Sequence, residues 1–420
     1  AKAVATNAPP HGAFRGFGAP QSLFALERHM DHIAEVLRLS PVEIRRRNFL
    51  RPGQTTTTGQ TVSDPIDLGR LLDRAMELSD YPAKKERFAR ENQQGSSKKG
   101  IGIAAFLHGA GFTGAGERYL SSVVGVEANK DGAVRVLVSS AEFGQGTKTV
   151  LCQIAAEALG LGYEDVRIAQ PDTQEVPNSG PTVASRTVMV IGKLVQSAAT
   201  GILQTLRASG LLGESYSAEE FRRACREYVR TRGELRSLAR YEQPEDIVWD
   251  EEKYRGSAYA AFSWAVYVAT VTVDLTTYSV TVDDFVALQE VGKVVHPVLA
   301  KGQIIGGVAQ GIGFALYEKV VWENGRMQNG QMTNYIMPTS ADLPPIRVYF
   351  EEMGNVHGAF GAKGIGELPM DGPAPAIVNA VQDALGVSFD AIPLLPEDIF
   401  DALARQEVRP EHAAPAQKNP

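Results

Sequence analysis

Several stretches of glycine and other small residues each run directly into a segment of helical periodicity. This repeated arrangement restricts the chain to folds in which distant loops can meet. Residues 12–21 (GAFRGFGAPQ) precede a first helix and 142–147 (EFGQGT) a second over 148–159. Residues 178–185 (NSGPTVAS) precede a long apolar helix over 185–207, and 361–369 (GAKGIGELP) the last apolar helix over 375–385. Unpaired N–H groups and partial positive charge at helix N-termini suit phosphate and other anions. Loops converging there would hold a large anionic group without net basic charge, whereas one such loop alone is more often a turn with a helix cap. Residues 144–149, Gly-Gln-Gly-Thr-Lys-Thr, lack the Gly-Lys-Ser/Thr order of a nucleotide P-loop, which excludes that reading.

The 361–369 loop adds one chemical group. Gly361, Gly364 and Gly366 let backbone approach a ligand closely, and Ile365, Leu368 and Pro369 make the surroundings of Glu367 apolar. Desolvation in such a place raises the basicity of a carboxylate, which makes a general base effective near neutral pH. Taken by itself, a solvated loop glutamate is the plainer reading.

Composition narrows the function classes. A net charge of −7 argues against nucleic acid as the main partner, and Arg45-Arg46-Arg47 reads as a solvated helix face. Two cysteines, Cys152 and Cys225, are too few for an all-cysteine iron–sulfur cluster or a paired Cys-x-x-Cys zinc site, and Cys152 in its apolar run reads as a small core residue. No apolar stretch approaches the roughly 20 residues that span a bilayer, so a cytoplasmic chain is expected. The start, Ala1-Lys2-Ala3, lacks an initiator Met and a signal-peptide core, as in a processed chain or one numbered from inside a longer product.

Helical patterns run from Pro20 to Leu39, from Pro41 with Ser40 as N-cap, over 67–79, and over 298–318. Strand patterns occupy 123–128, 134–139 and 166–169, and a hairpin is expected from 260–275 and 280–289 around Thr276-Thr277-Tyr278. The polar run 91–99 is a candidate boundary, giving an N-terminal helical part over 1–95 and an α/β region over 96–404. A charged helical insertion is expected near 210–256, and 405–420 is a tail expected to be poorly ordered.

Taken together, residues 12–21 (GAFRGFGAPQ), 143–147 (FGQGT), 177–187 (PNSGPTVASRT), 302–313 (GQIIGGVAQGIG) and 361–367 (GAKGIGE) resemble a known family. In order, and over nearly the whole chain, they are similar to the molybdenum-cofactor subunit of the xanthine dehydrogenase family of molybdenum hydroxylases. The resemblance implies a mixed α/β (α+β) chain forming the C-terminal half of a large two-domain molybdopterin-binding fold. It implies Glu367 as the catalytic base, with Arg15, Gly144, Gln145, Gly146, Ala184, Ser185, Thr187, Gln310 and Gly366 at the cofactor. Phe17 and Phe112 would be the aromatic pair on either side of a planar substrate, with core packing as the competing reading, above all for Phe112. Molybdenum would be held through the pterin dithiolene, with no direct protein ligand.

The Gly-Gly-Phe-Gly type cofactor loop that precedes Phe-Arg-Gly-Phe-Gly in the family is absent from this sequence. The resemblance therefore implies a split subunit, completed by a separate N-terminal-half molybdopterin subunit. With two cysteines and no G-x-G-x-x-G dinucleotide fingerprint, the chain would pass its electrons to an iron–sulfur subunit carrying [2Fe–2S] clusters and to an FAD subunit. The implied activity is oxidation of a purine or other N-heteroaromatic substrate with water oxygen, on molybdopterin or its cytosine dinucleotide form. The alternatives are an aldehyde oxidoreductase or hydroxybenzoyl-CoA reductase type of member, and a non-catalytic structural half.

Overall fold

A computed structural model describes residues 4–407. Its frame grows from the longest β-branched and aromatic runs. Ala261–Asp274 and Val280–Glu290 pair antiparallel as the expected hairpin, with Tyr278 in a left-handed conformation at the turn. Ser97–Ala110 joins the first of these strands antiparallel, and Ile346–Glu351 joins the second in parallel, completing a four-stranded mixed sheet. Both faces are covered, which is why Ala261–Asp274 reads as an almost unbroken apolar run rather than an alternating one. On one face Phe24, Ile304, Val308, Ile377 and Val381 meet Phe106, Tyr267 and Phe285. On the other, Leu68, Leu72 and Phe88 meet Ile101, Trp264 and Leu288, so the helices before residue 95 share their core with this sheet.

The strand Ser97–Ala110 corrects the expected linker over 91–99. Gly100 and Gly102 dilute its strand signal, and their role is steric. The helix Pro373–Leu385 lies so close that a Cβ at either glycine would collide with the backbone of Ala376 or Ala380. Asn379 Nδ2, on that helix, donates to Ile103 O at 2.9 Å.

A second four-stranded sheet has the order Val166–Ile168, Val134–Leu137, Val123–Ala128, Leu235–Arg240. The helices Thr147–Leu159, Gly192–Ala208 and Ala218–Arg232 contribute Leu151, Ile154, Val195, Ile202 and Phe221 to its core, where Cys152 and Cys225 are also buried. The segment near 210–256 is thus not a purely helical insertion. It holds one helix, whose Phe221, Ala224 and Cys225 are buried, and then the edge strand Leu235–Arg240. In that strand Arg236, Leu238 and Arg240 point outward, and this put charges where a helical surface was expected.

The long apolar segment after residue 185 begins as a π-turn, Thr187–Ile191, before Gly192–Ala208. Ala19–Leu37 and Pro297–Leu316 form as expected, and Ser40 caps Pro41–Asn48 by accepting from Glu43 N at 3.0 Å. The helix Pro396–Glu407 extends past the expected start of the tail, whose remainder lies outside the described residues. Among the described residues no helix is long and apolar enough to cross a membrane.

Candidate active site

Glu367 sits at the head of the short helix Leu368–Asp371, and the loop leading to it is tied down along its length. Gly361 O accepts from Lys293 N, Lys363 N donates to Val291 O, and Gly364 O accepts from Ser263 Oγ at 2.7 Å. The Lys363 side chain, almost fully buried, reaches Glu290 at 2.7 Å and Asp64 at 3.2 Å. Gly366 O accepts from Arg15 Nε at 2.5 Å. These anchors make the loop an extension of the first sheet rather than a free turn.

The carboxylate itself meets three other segments. Ser185 Oγ lies 3.2 Å from Glu367 Oε2 and accepts from Glu367 N at 2.9 Å. His108 Nε2, from the strand Ser97–Ala110, lies 3.4 Å from the same oxygen, and the Gly16 N–H also faces the carboxylate. On its other side His108 Nδ1 is 2.7 Å from Asp371 Oδ2. Burial would raise the Glu367 pKa, but the hydrogen bond and charge of His108, with help from Ser185 and Gly16, hold it below its ordinary value. This reverses the expected direction: the apolar neighbours are present, but a cation outweighs them. Burial would lower His108, yet Asp371 and Glu367 carry the imidazole up to about 9. Burial pushes Asp371 up to about 6 although His108 is beside it.

All five quoted motif segments converge here. Arg15 donates to Gln310 Oε1 at 3.1 Å and to Gln303 O at 2.9 Å, joining 12–21 to the helix Pro297–Leu316. A Cβ at Gly146 would strike Leu299 of that helix, and Ala141 N donates to Thr182 Oγ1 at 2.8 Å, linking 142–147 to both neighbours. Gly364 approaches Ser185 so closely that a Cβ would collide with Ser185 O. Arg186, fully buried, fixes the 178–185 loop through Glu117 at 2.6 Å and Ser179 O at 2.9 Å.

Other expected site residues stand differently. Gln145 Nε2 is used within its own loop, on Ala141 O and Thr147 Oγ1. Gly144 N and Gly146 N donate to Glu142, whose carboxylate also accepts from Lys148 N, so this helix N-terminus is capped by its own chain. Ala184 and Ser185 are both left-handed, with φ of 55° and 51°, and Thr187 begins the π-turn. Phe17 is 76% exposed on a left-handed turn between Gly16 and Gly18. Phe112 is half-buried and lines a cavity of about 350 Å³ with Met189, Leu194 and Tyr259, and Glu367 is not among the walls of that cavity. His108, Asp371, Lys363 and Glu142 escaped sequence reasoning. The four-residue spacing of Glu367 and Asp371 offered a signal, whereas nothing around His108 in its apolar strand did.

A family model described as a molybdopterin cofactor-binding domain matches residues 74–344, and a second of the same description matches 1–49. The chain belongs to the molybdopterin cofactor-binding domain family. It is 32% identical to the putative xanthine dehydrogenase molybdenum-binding subunit of Escherichia coli, over 95% of this chain and 54% of that one. It is also 32% identical to an aldehyde oxidoreductase of Megalodesulfovibrio gigas, over 96% of this chain and 43% of that one. The solved aldehyde oxidoreductase from Desulfovibrio gigas superposes with a TM-score of 0.82 at 31% identity, covering 93% of this chain and 42% of that one. Quinoline 2-oxidoreductase from Pseudomonas putida 86 gives 0.82 at 27% identity, covering 94% and 53%. This molybdopterin-binding chain therefore has the mixed α/β fold of the molybdenum hydroxylases and spans about half the length of the curated relatives it matches.

Proposed function

We propose that this chain is the catalytic C-terminal half of a molybdenum hydroxylase that oxidises an aldehyde, with Glu367 as the general base. The linking of five distant motif segments around the loop that bears Glu367 carries the reading. The residues present fit the cofactor. Gln310 spends Oε1 on Arg15 and keeps its amide N–H groups to donate, Gly144 has open space around its Cα, and the close contact of Gly364 with Ser185 leaves room for no side chain. Gly366, Ser185 and Gln310 would hold the pterin, with the open backbone of Gly144 leaving it room, while Arg15 braces Gly366 through its carbonyl.

Bound molybdopterin would supply the two-electron acceptor and activate the water that provides oxygen. Glu367 takes the proton, with Ser185 and His108 holding Oε2. Phe17 and Phe112 orient a planar substrate, each ring contact contributing about 0.5–1.5 kcal/mol. The aldehyde reading is supported by two solved aldehyde oxidoreductases, similar at 30% identity or above over 93% of the chain. A second reading, an N-heteroaromatic substrate, is supported by the similarity to the xanthine dehydrogenase subunit. Partner subunits with iron–sulfur and FAD groups, in a cytoplasmic complex, would complete the site and the electron path. Exposed Phe14, Phe17, Phe143 and Val183 support cover by such a partner.

Removal of a general base typically costs about 10²–10⁴-fold in rate. In the co-purified complex, Glu367→Gln is expected to retain its pterin while turnover of a panel of aryl aldehydes falls by that factor. Undiminished turnover would overturn the assignment, and oxidation of xanthine in preference to every aldehyde would favour the second reading.

A further inference from the structure

Both side-chain partners of Glu367 act on Oε2, leaving Oε1 without a side-chain partner among the described residues. One of them, His108, is itself held from behind by Asp371, which is fully buried and whose Oδ1 has no hydrogen-bond partner. Glu367 and Asp371 lie one helical turn apart, so a single imidazole from a neighbouring strand spans both. We propose that His108 and Asp371 are a positioning pair for Glu367: Asp371 keeps His108 a double donor, and His108 turns Oε2 into the protein so that Oε1 is the oxygen that takes the proton. The inference rests on the proposed role of Glu367 and assigns two residues to it.

The chemistry follows from the two ring nitrogens. A cationic imidazole donates from both, so Nε2–H faces Glu367 while Nδ1–H faces Asp371. With asparagine at 371 the Nδ1–H is still held, but the countercharge is gone. The ring then loses its charge at a lower pH, and once neutral its Nε2 turns from donor to bare lone pair facing Glu367. That reverses its effect: it repels the carboxylate and accepts from the acid. The other groups facing this cluster are Arg15, from the 12–21 loop, and Tyr267, from the strand Ala261–Asp274, and both interact with Asp371. Both are unchanged by the substitution.

The test uses the complex with histidine-labelled chain and reads the ring carbons of His108 by NMR, the signal being assigned by its loss in His108→Gln. His108 should stay cationic through pH 8, and in Asp371→Asn it should titrate at least about one unit lower, the scale of an opposite charge at close range. In His108→Gln the carboxylate loses its facing cation, so the acid limb of kcat/KM for the aldehyde should move up by about one pH unit, with pterin content unchanged. A wild-type His108 that titrates at its ordinary 6.5, a His108 unmoved in Asp371→Asn, or an acid limb that stays in place in His108→Gln overturns the inference. The two readings fail separately. Full turnover in Glu367→Gln sinks the function, while an inactive Glu367→Gln with an ordinary His108 sinks only the pair.

Discussion

Lys363→Met tests whether the loop that carries Glu367 is held by a buried charge. Lys363 and Glu290 are 1% and 0% exposed, 2.7 Å apart, and Asp64 completes the triad at 3.2 Å. Methionine fills much the same volume, so the loss is electrostatic. Breaking a buried pair by removing one partner costs about 3–5 kcal/mol, because the remaining charge is left uncompensated. Glu290 would keep only its backbone donors, Gly292 N and Met353 N.

Pairing the change with Glu290→Gln removes the stranded charge while keeping an acceptor for those two donors, and should recover more than half of the loss. The effect also has a sign in pH. Burial raises Glu290 even with Lys363 beside it, and removing the lysine raises it further. A carboxyl whose folded pKa lies above its unfolded value favours the folded state in acid and loses that contribution as pH rises through the folded value. The gap between wild type and Lys363→Met is therefore small below the ordinary 4.5 and widens towards neutrality. Thermal unfolding at several pH values, with amide exchange across 361–367, reads both quantities. A pH-independent gap, or a double variant no more stable than Lys363→Met, would refute the reasoning.

Two further outcomes follow from steric and capping contacts. Gly102→Ala sets a Cβ against helix backbone that has no rotamer to escape into, so a loss of about 1–3 kcal/mol or more is expected, and an unchanged melting temperature would contradict the close approach. Glu142→Ala removes a carboxylate that accepts from three backbone N–H groups, and should cost about 1 kcal/mol at neutral pH, comparable to other helix caps. Burial works against Glu142, but those donors hold its pKa below the usual value. The cap is therefore in force above the ordinary 4.5 and is lost as pH falls through the depressed value. Faster amide exchange at Gly144 and Gly146 at pH 7, shrinking in acid, is the readout.

Most helices and the central hairpin were readable because they carry their own period and their own caps: Ser40, Asp67 and Gly386 each stand where a terminus was expected. The strand Ser97–Ala110 was not, because its glycines answer to a helix nearly three hundred residues later rather than to strand propensity. Leu235–Arg240 was hidden in a charged stretch, since an edge strand exposes one face to water. At the candidate site, the glycine loops and Glu367 announced themselves through spacing. The residues that adjust the carboxylate did not: His108 lies 259 positions from it and acts only through folding. The direction of the Glu367 shift was misjudged for the same reason, since apolar neighbours along the chain say nothing of a cation delivered from another strand.

The helix Pro373–Leu385 begins six residues after Glu367 and lies hard against glycine-bearing backbone of the first sheet. Helix and strand meet there with almost no intervening side chain to cushion a tilt. The carboxylate thereby borrows the stiffness of the sheet, and a disturbance of the interior at Gly100 or Gly102 would travel along a short rigid lever to the oxygen that does the chemistry.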